Sequence, residues 1–151
     1  MVTLKELKDK LTDNARLIGL DLGSKRIGVA ICDDKRKIAS PFKTIEYKNM
    51  EYLINELKII IKDNNIFAII IGNPINMDGS FGKSAQSIED KAKIIEKELN
   101  LIIAMWDERL STSGAFNISS NFDIKFPDRK KNIDEKAAAF ILQGAIDFLN
   151  N

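Results

Sequence analysis

Residues 16–33 read RLIGLDLGSKRIGVAICD: two apolar runs joined by the turn Gly23-Ser24-Lys25, with one acid, Asp21, inside the first run. Two short apolar runs around a tight polar turn are the signature of an antiparallel hairpin. A carboxylate within a buried strand costs several kcal/mol to desolvate unless it has a partner. Asp21 either caps the turn through its own backbone or binds something cationic, with Gly23 letting a phosphate approach the main chain.

Outward from the hairpin, KIASPFKTIEY at 37–47 adds a third strand, and Pro41 assigns it to a sheet edge. Ahead of it, residues 3–14 carry Leu4, Leu7 and Leu11 at helical spacing. Beyond the meander the pattern changes. Residues 50–64 set Leu53, Leu57, Ile60 and Ile61 on one helical face, and IFAIIIG at 66–72 is a buried strand of the parallel kind. Ala85, Ile88, Ala92, Ile95 and Leu99 mark a helix over 84–99, followed by the strand LIIAMW at 101–106. A weak helix over 111–120, an irregular stretch at 121–131 and a helix over 133–149 complete the chain.

This order predicts an α/β fold. Its five-stranded mixed sheet has three antiparallel strands followed by two parallel ones, which need right-handed helical crossovers. Helices flank the sheet. Residues 1–15 read as an N-terminal helical extension and 16–151 as a single domain, since no repeat or low-complexity linker interrupts them. Sites in such sheets form beyond the carboxyl ends of strands, near the point where strand order reverses.

Composition narrows the chemistry. The chain has no histidine, which excludes serine–histidine and cysteine–histidine mechanisms and argues against structural zinc. The single cysteine, Cys32, cannot form an internal disulfide, and a reducing cytoplasm fits it best. No apolar stretch approaches the roughly 20 residues of a membrane helix and no signal peptide is visible, so no membrane role is expected. With a net charge of +1, any nucleic-acid binding must come from a local patch.

Two further acids stand at breakpoints like that of Asp21. Glu108 follows the strand ending at Trp106, with Asp107 as the poorer candidate because consecutive side chains at a strand end point oppositely. Asp134 opens the last helix, where Asn132 and Glu135 resemble a capping pair and leave it free to point elsewhere. Plainer readings exist: an ion pair of Asp107 or Glu108 with Arg109, and a helix-dipole role for Asp134. Together, Asp21, Glu108 and Asp134 offer the all-oxygen donor set of a hard divalent cation, magnesium or manganese.

The basic residues give a second clue. Of 18 lysines and 5 arginines, Arg26, Arg109 and Arg129 lie beside a candidate acid or its approach loop, and arginine's planar fork suits phosphate. Arg129-Lys130-Lys131 can grip a nucleic-acid backbone or be a solvated turn. Lys25 and Gly23 belong to the hairpin turn. The loop GNPINMDGSFGKS at 72–84, with Asn73 as its candidate contact, runs from strand to helix as phosphate-approach loops do, although a plain flexible connection reads equally well. It is no Walker motif, because GxxxxGK[ST] is not present.

LIGLDLGSKRIGVAICD, IIIGNPINMDGSFG, WDERLST and NIDEKAAAFIL resemble, in order and spacing, the signature blocks of the YqgF family of the RNase H-like superfamily, related to RuvC Holliday-junction resolvases. The resemblance covers about residues 16–149. It implies a metal-dependent nuclease that processes the 5′ end of pre-16S rRNA, or alternatively a resolvase of branched DNA or a non-catalytic RNA-binding assembly factor. It also implies that Asp21, Glu108 and Asp134 are the catalytic acids, holding two magnesium or manganese ions, in a monomer or homodimer. On that reading Arg26, Arg109 and Lys130 hold the scissile strand, while Phe122 and Phe126 stack on unpaired bases or pack in the core. Two departures stand out. The helix at 4–14 precedes the usual family start, and Gly114 occupies a position where members commonly carry an acid. LDLGS also resembles the first phosphate loop of actin-like ATPases and sugar kinases, but a chain of 151 residues has no room for their paired domains.

Overall fold

The protein is described by a computed structural model over residues 1–74, 82–108 and 133–151. Strands β1 (Arg16–Leu22), β2 (Arg26–Cys32), β3 (Ala39–Glu46), β4 (Ile66–Asn73) and β5 (Ile102–Asp107) form one sheet in the order β3-β2-β1-β4-β5. β1, β2 and β3 are antiparallel, β4 lies parallel to β1, and β5 lies parallel to β4. Strand order therefore reverses at β1, beside β4. Pro41 falls on the outer strand β3, where a missing N–H donor costs least, and the β2–β3 register slips beside its partner Ala30.

Four helices are described: α1 (Leu4–Lys10), α2 (Met50–Asn64), α3 (Lys83–Leu99) and α4 (Ile133–Leu149). Side chains alternate across a strand, so β1 sends Ile18, Leu20 and Leu22 into one apolar layer and Leu17 into the other. The first layer receives Leu53 and Leu57 of α2 with Ala92 and Ile95 of α3. The second receives Leu7 of α1 and Leu142 and Ile146 of α4. β4 is buried on both faces, which is why it reads as an unbroken apolar run.

The N-terminal helix is shorter than its apolar spacing predicts. Thr3 caps it, and Leu11 is already extended. The Ala15 N–H then bonds to the Thr12 carbonyl, with Asn14 in the left-handed region, and this turn feeds β1. Leu7 is fully buried, so α1 packs against the fold instead of projecting from it. Val2 also reaches the sheet, a contact that no pattern in the chain marks. It forms a parallel bridge with Ala104, its N–H donating to Ile103 O at 2.9 Å, and so covers part of the β5 edge. Among the described residues, no helix is long and apolar enough to cross a membrane.

Candidate active site

Strand parity decides which acids can meet. Asp21 follows Leu17 and Gly19 onto the face covered by α4, and Glu108 follows Ala104 and Trp106 onto the same face. Asp107 stands in register with Asn73 and alternates toward the α2–α3 side. Glu108 reaches inward over β4 because Gly72 has no side chain. A Cβ there would stand 3.2 Å from the Glu108 carboxyl carbon and 2.5 Å from Ile141 Cδ1.

Asp134 is placed by a second close approach. At Gly28 on β2, a Cβ would lie only 1.9 Å from the Asp134 carbonyl oxygen. The first turn of α4 therefore rests directly on the β2 backbone, a contact only glycine permits. Asp134 Oδ2 accepts a hydrogen bond from Arg26 Nε at 2.8 Å, and the two form an ion pair. In the same turn Glu135 Oε1 accepts from the Thr44 hydroxyl at 3.2 Å, tying α4 to β3.

The electrostatics link the three carboxylates. Burial pushes the Asp21 carboxyl up to about 6, with the Asp134 charge adding to the rise. Burial also raises Glu108, helped by the charges of Asp21 and then Asp107. Asp21 and Glu108 thus resist ionisation partly because of a neighbouring acid, a strain that a divalent cation beside them would relieve. Among the described residues no three acids are gathered closely enough to hold a metal as they stand. Asp134 is held in its ion pair with Arg26. The oxygen donors and their mutual repulsion nevertheless suit a hard divalent cation.

Other expected contacts fare differently. Lys25 and Arg26 are exposed at the start of β2. Gly23 closes the hairpin turn, where a Cβ would stand 2.5 Å from Arg26 O. Asn73 is 94% buried, and its Oδ1 has no hydrogen-bond partner among the described residues. Arg109, Arg129, Lys130, Lys131, Phe122, Phe126, Gly114 and the expected helix over 111–120 lie outside the described residues, as does 75–81 of the β4–α3 loop. Sequence reasoning did not foresee the Arg26–Asp134 pair or the part played by Gly28. The hint in the sequence was a glycine in the interior of β2.

A sheet of three antiparallel strands extended by two parallel ones and flanked by helices is the RNase H-like architecture. Two resolvases share it: Thermus thermophilus RuvC, solved in complex with a Holliday junction substrate (TM-score 0.58, 9% identity, covering 86% of this chain and 91% of that one), and the yeast mitochondrial Holliday junction resolvase Ydc2 (0.52, 10%, 97% and 84%). At such identities the likeness establishes fold alone. The RuvX family model, described as Holliday junction resolvase, matches residues 15–148, and the chain belongs to that family, the one also called YqgF. A Pelagibacter ubique relative named "Putative pre-16S rRNA nuclease" is 63% identical over 151 residues, spanning the whole of both chains. A relative of the same name from Rhodospirillum centenum is 40% identical, covering 97% of this chain and 80% of that one.

Proposed function

We propose that this protein is a cytoplasmic, divalent-metal-dependent nuclease that hydrolyses phosphodiester bonds in pre-16S rRNA, with Asp21, Glu108 and Asp134 as its catalytic acids. The observation that carries this reading is the electrostatic coupling of Asp21 to both other acids on one face of the sheet, at the strand-order reversal. Family membership and the names of the relatives support the substrate class. Magnesium or manganese, two ions in the fullest form of the mechanism, would supply an activated water and stabilise the leaving oxygen.

The chain's own residues do the rest. Asp21, on β1 between the other two, holds the centre of the acidic face, and Glu108 closes it from β5. Asp134 is the adjustable member, because its oxygens are shared with Arg26. When Asp134 turns inward, the Arg26 guanidinium is released beside the acids, where it can engage a phosphate of the bound strand. No proton transfer requires histidine.

Cleavage of a pre-16S leader RNA by the wild-type protein with magnesium, set against a four-way DNA junction, tests the reading. Cutting of the leader in preference to the junction is expected; junction cleavage with an intact leader would assign the protein to resolution of branched DNA instead.

Arg26 gives a separate expectation. Partly exposed ion pairs contribute about 1 kcal/mol or less, so Arg26→Ala should tighten manganese binding by up to about fivefold while weakening RNA binding. Calorimetric titration of manganese into the two proteins measures this. Equal affinities would mean that Arg26 does not restrain Asp134.

A further inference from the structure

Beside Arg26 the end of the sheet opens into a depression of about 430 Å³ lined by Ser24, Lys25, Arg26, Thr44, Glu46 and Tyr47. Its size lies within the roughly 300–1,000 Å³ typical of small-molecule sites. Three observations give it chemical character. Glu46 stands directly across from Arg26 in the β2–β3 register, yet Arg26 pairs with Asp134, and Glu46 is exposed with no hydrogen bond or ion pair among the described residues. Tyr47 is anchored by its N–H, which donates to Lys25 O at 2.9 Å, and the Lys91 ammonium sits 4.6 Å from its ring centroid. The Lys25 side chain is exposed and likewise unpaired among the described residues.

We propose that this depression is a ribonucleotide subsite for the strand leading into the acidic face. Tyr47 stacks a base, Lys25 and Arg26 face the phosphates, and Glu46 accepts a hydrogen bond from a ribose 2′-hydroxyl. Aromatic stacking is sequence-tolerant, and Lys91 holds positive charge at the ring. A carboxylate amid cations is a poor neighbour for phosphate. It is a good acceptor for the hydroxyl that distinguishes RNA from DNA. The subsite rests on the nuclease reading for the direction of the strand, but its binding chemistry does not depend on cleavage.

The test uses the full chain in EDTA and fluorescence anisotropy with labelled single strands of one sequence, built from ribose, deoxyribose or 2′-O-methyl ribose. Wild-type protein should prefer ribose over both others. Glu46→Ala should erase most of that preference, about tenfold for a hydrogen bond to a charged group, without weakening deoxyribose binding. Tyr47→Leu should weaken all three strands by about tenfold, the scale of one stacked base, leaving their ratios unchanged. Tyr47 also packs against the core, so melting curves check its fold. If that variant unfolds, exposed Glu46 decides the matter alone. Equal binding of ribose and deoxyribose by the wild type, or a ribose preference that survives Glu46→Ala, overturns the subsite. Magnesium-dependent leader cleavage is measured in parallel. These shifts without cleavage uphold the subsite and refute the nuclease reading, whereas cleavage without these shifts does the reverse.

Discussion

Asp21→Asn is expected to abolish cleavage while making the metal-free protein more stable at neutral pH. A metal's stabilisation of transition-state charge is worth several kcal/mol, and about 1.4 kcal/mol is tenfold in rate, so the loss should be on the order of a thousandfold. The stability gain follows from linkage. The Asp21 carboxyl titrates at about 6 in the folded chain, against about 3.9 when unfolded. Between those values the folded state binds the extra proton, so the favourable contribution is fully present below about pH 4 and gone above about 6. The wild-type protein should therefore lose stability as pH rises through that window. Two units correspond to about 3 kcal/mol, which partial exposure reduces to about 1–2. Asparagine removes the charge and should flatten the profile. Thermal melts at pH 4.5 and 7.5 measure it; a variant with the wild-type pH dependence would show that Asp21 is not the strained acid.

Gly28→Ala is expected to have the largest effect of any substitution that adds or removes no charge. The new methyl would stand 1.9 Å from the Asp134 carbonyl oxygen, and backbone cannot yield as a flexible side-chain tip can. The first turn of α4 must lift off β2. The cost should be about 3 kcal/mol, the upper end of overpacking penalties. Because the same turn carries Asp134, activity should fall beyond what unfolding explains. A displacement near 1 Å costs on the order of a hundredfold. Cleavage assays well below the melting temperature separate the two effects, and a variant that melts and cuts like the wild type would remove Gly28 from any role in placing the acid.

Much of the fold was legible because it is local. The hairpin around Gly23-Ser24-Lys25, the edge position of Pro41 and the buried runs of β4 and β5 each follow from composition within a few residues, and the crossover rule orders them. Asp21 announced itself as a lone acid in an apolar run. The preference for Glu108 over Asp107 also came from local parity, the rule by which Ala104 and Trp106 alternate onto the α4 face. What escaped was non-local. The contact between Gly28 and Asp134 joins positions 106 residues apart, and no periodicity encodes which glycine meets which helix turn. The pairing of Arg26 with Asp134 is hidden for the same reason, because sequence marks both as charged without saying that each will occupy the other. Val2 was overlooked because a single bridging residue leaves no pattern.

The whole proposal stands on three carboxylates sharing divalent ions, and calorimetric titration of manganese into the wild type, Asp21→Asn, Glu108→Gln and Asp134→Asn tests it most directly. Saturable binding that each substitution weakens at least tenfold is the expected result. Binding that is missing from the wild type, or indifferent to all three changes, would contradict it.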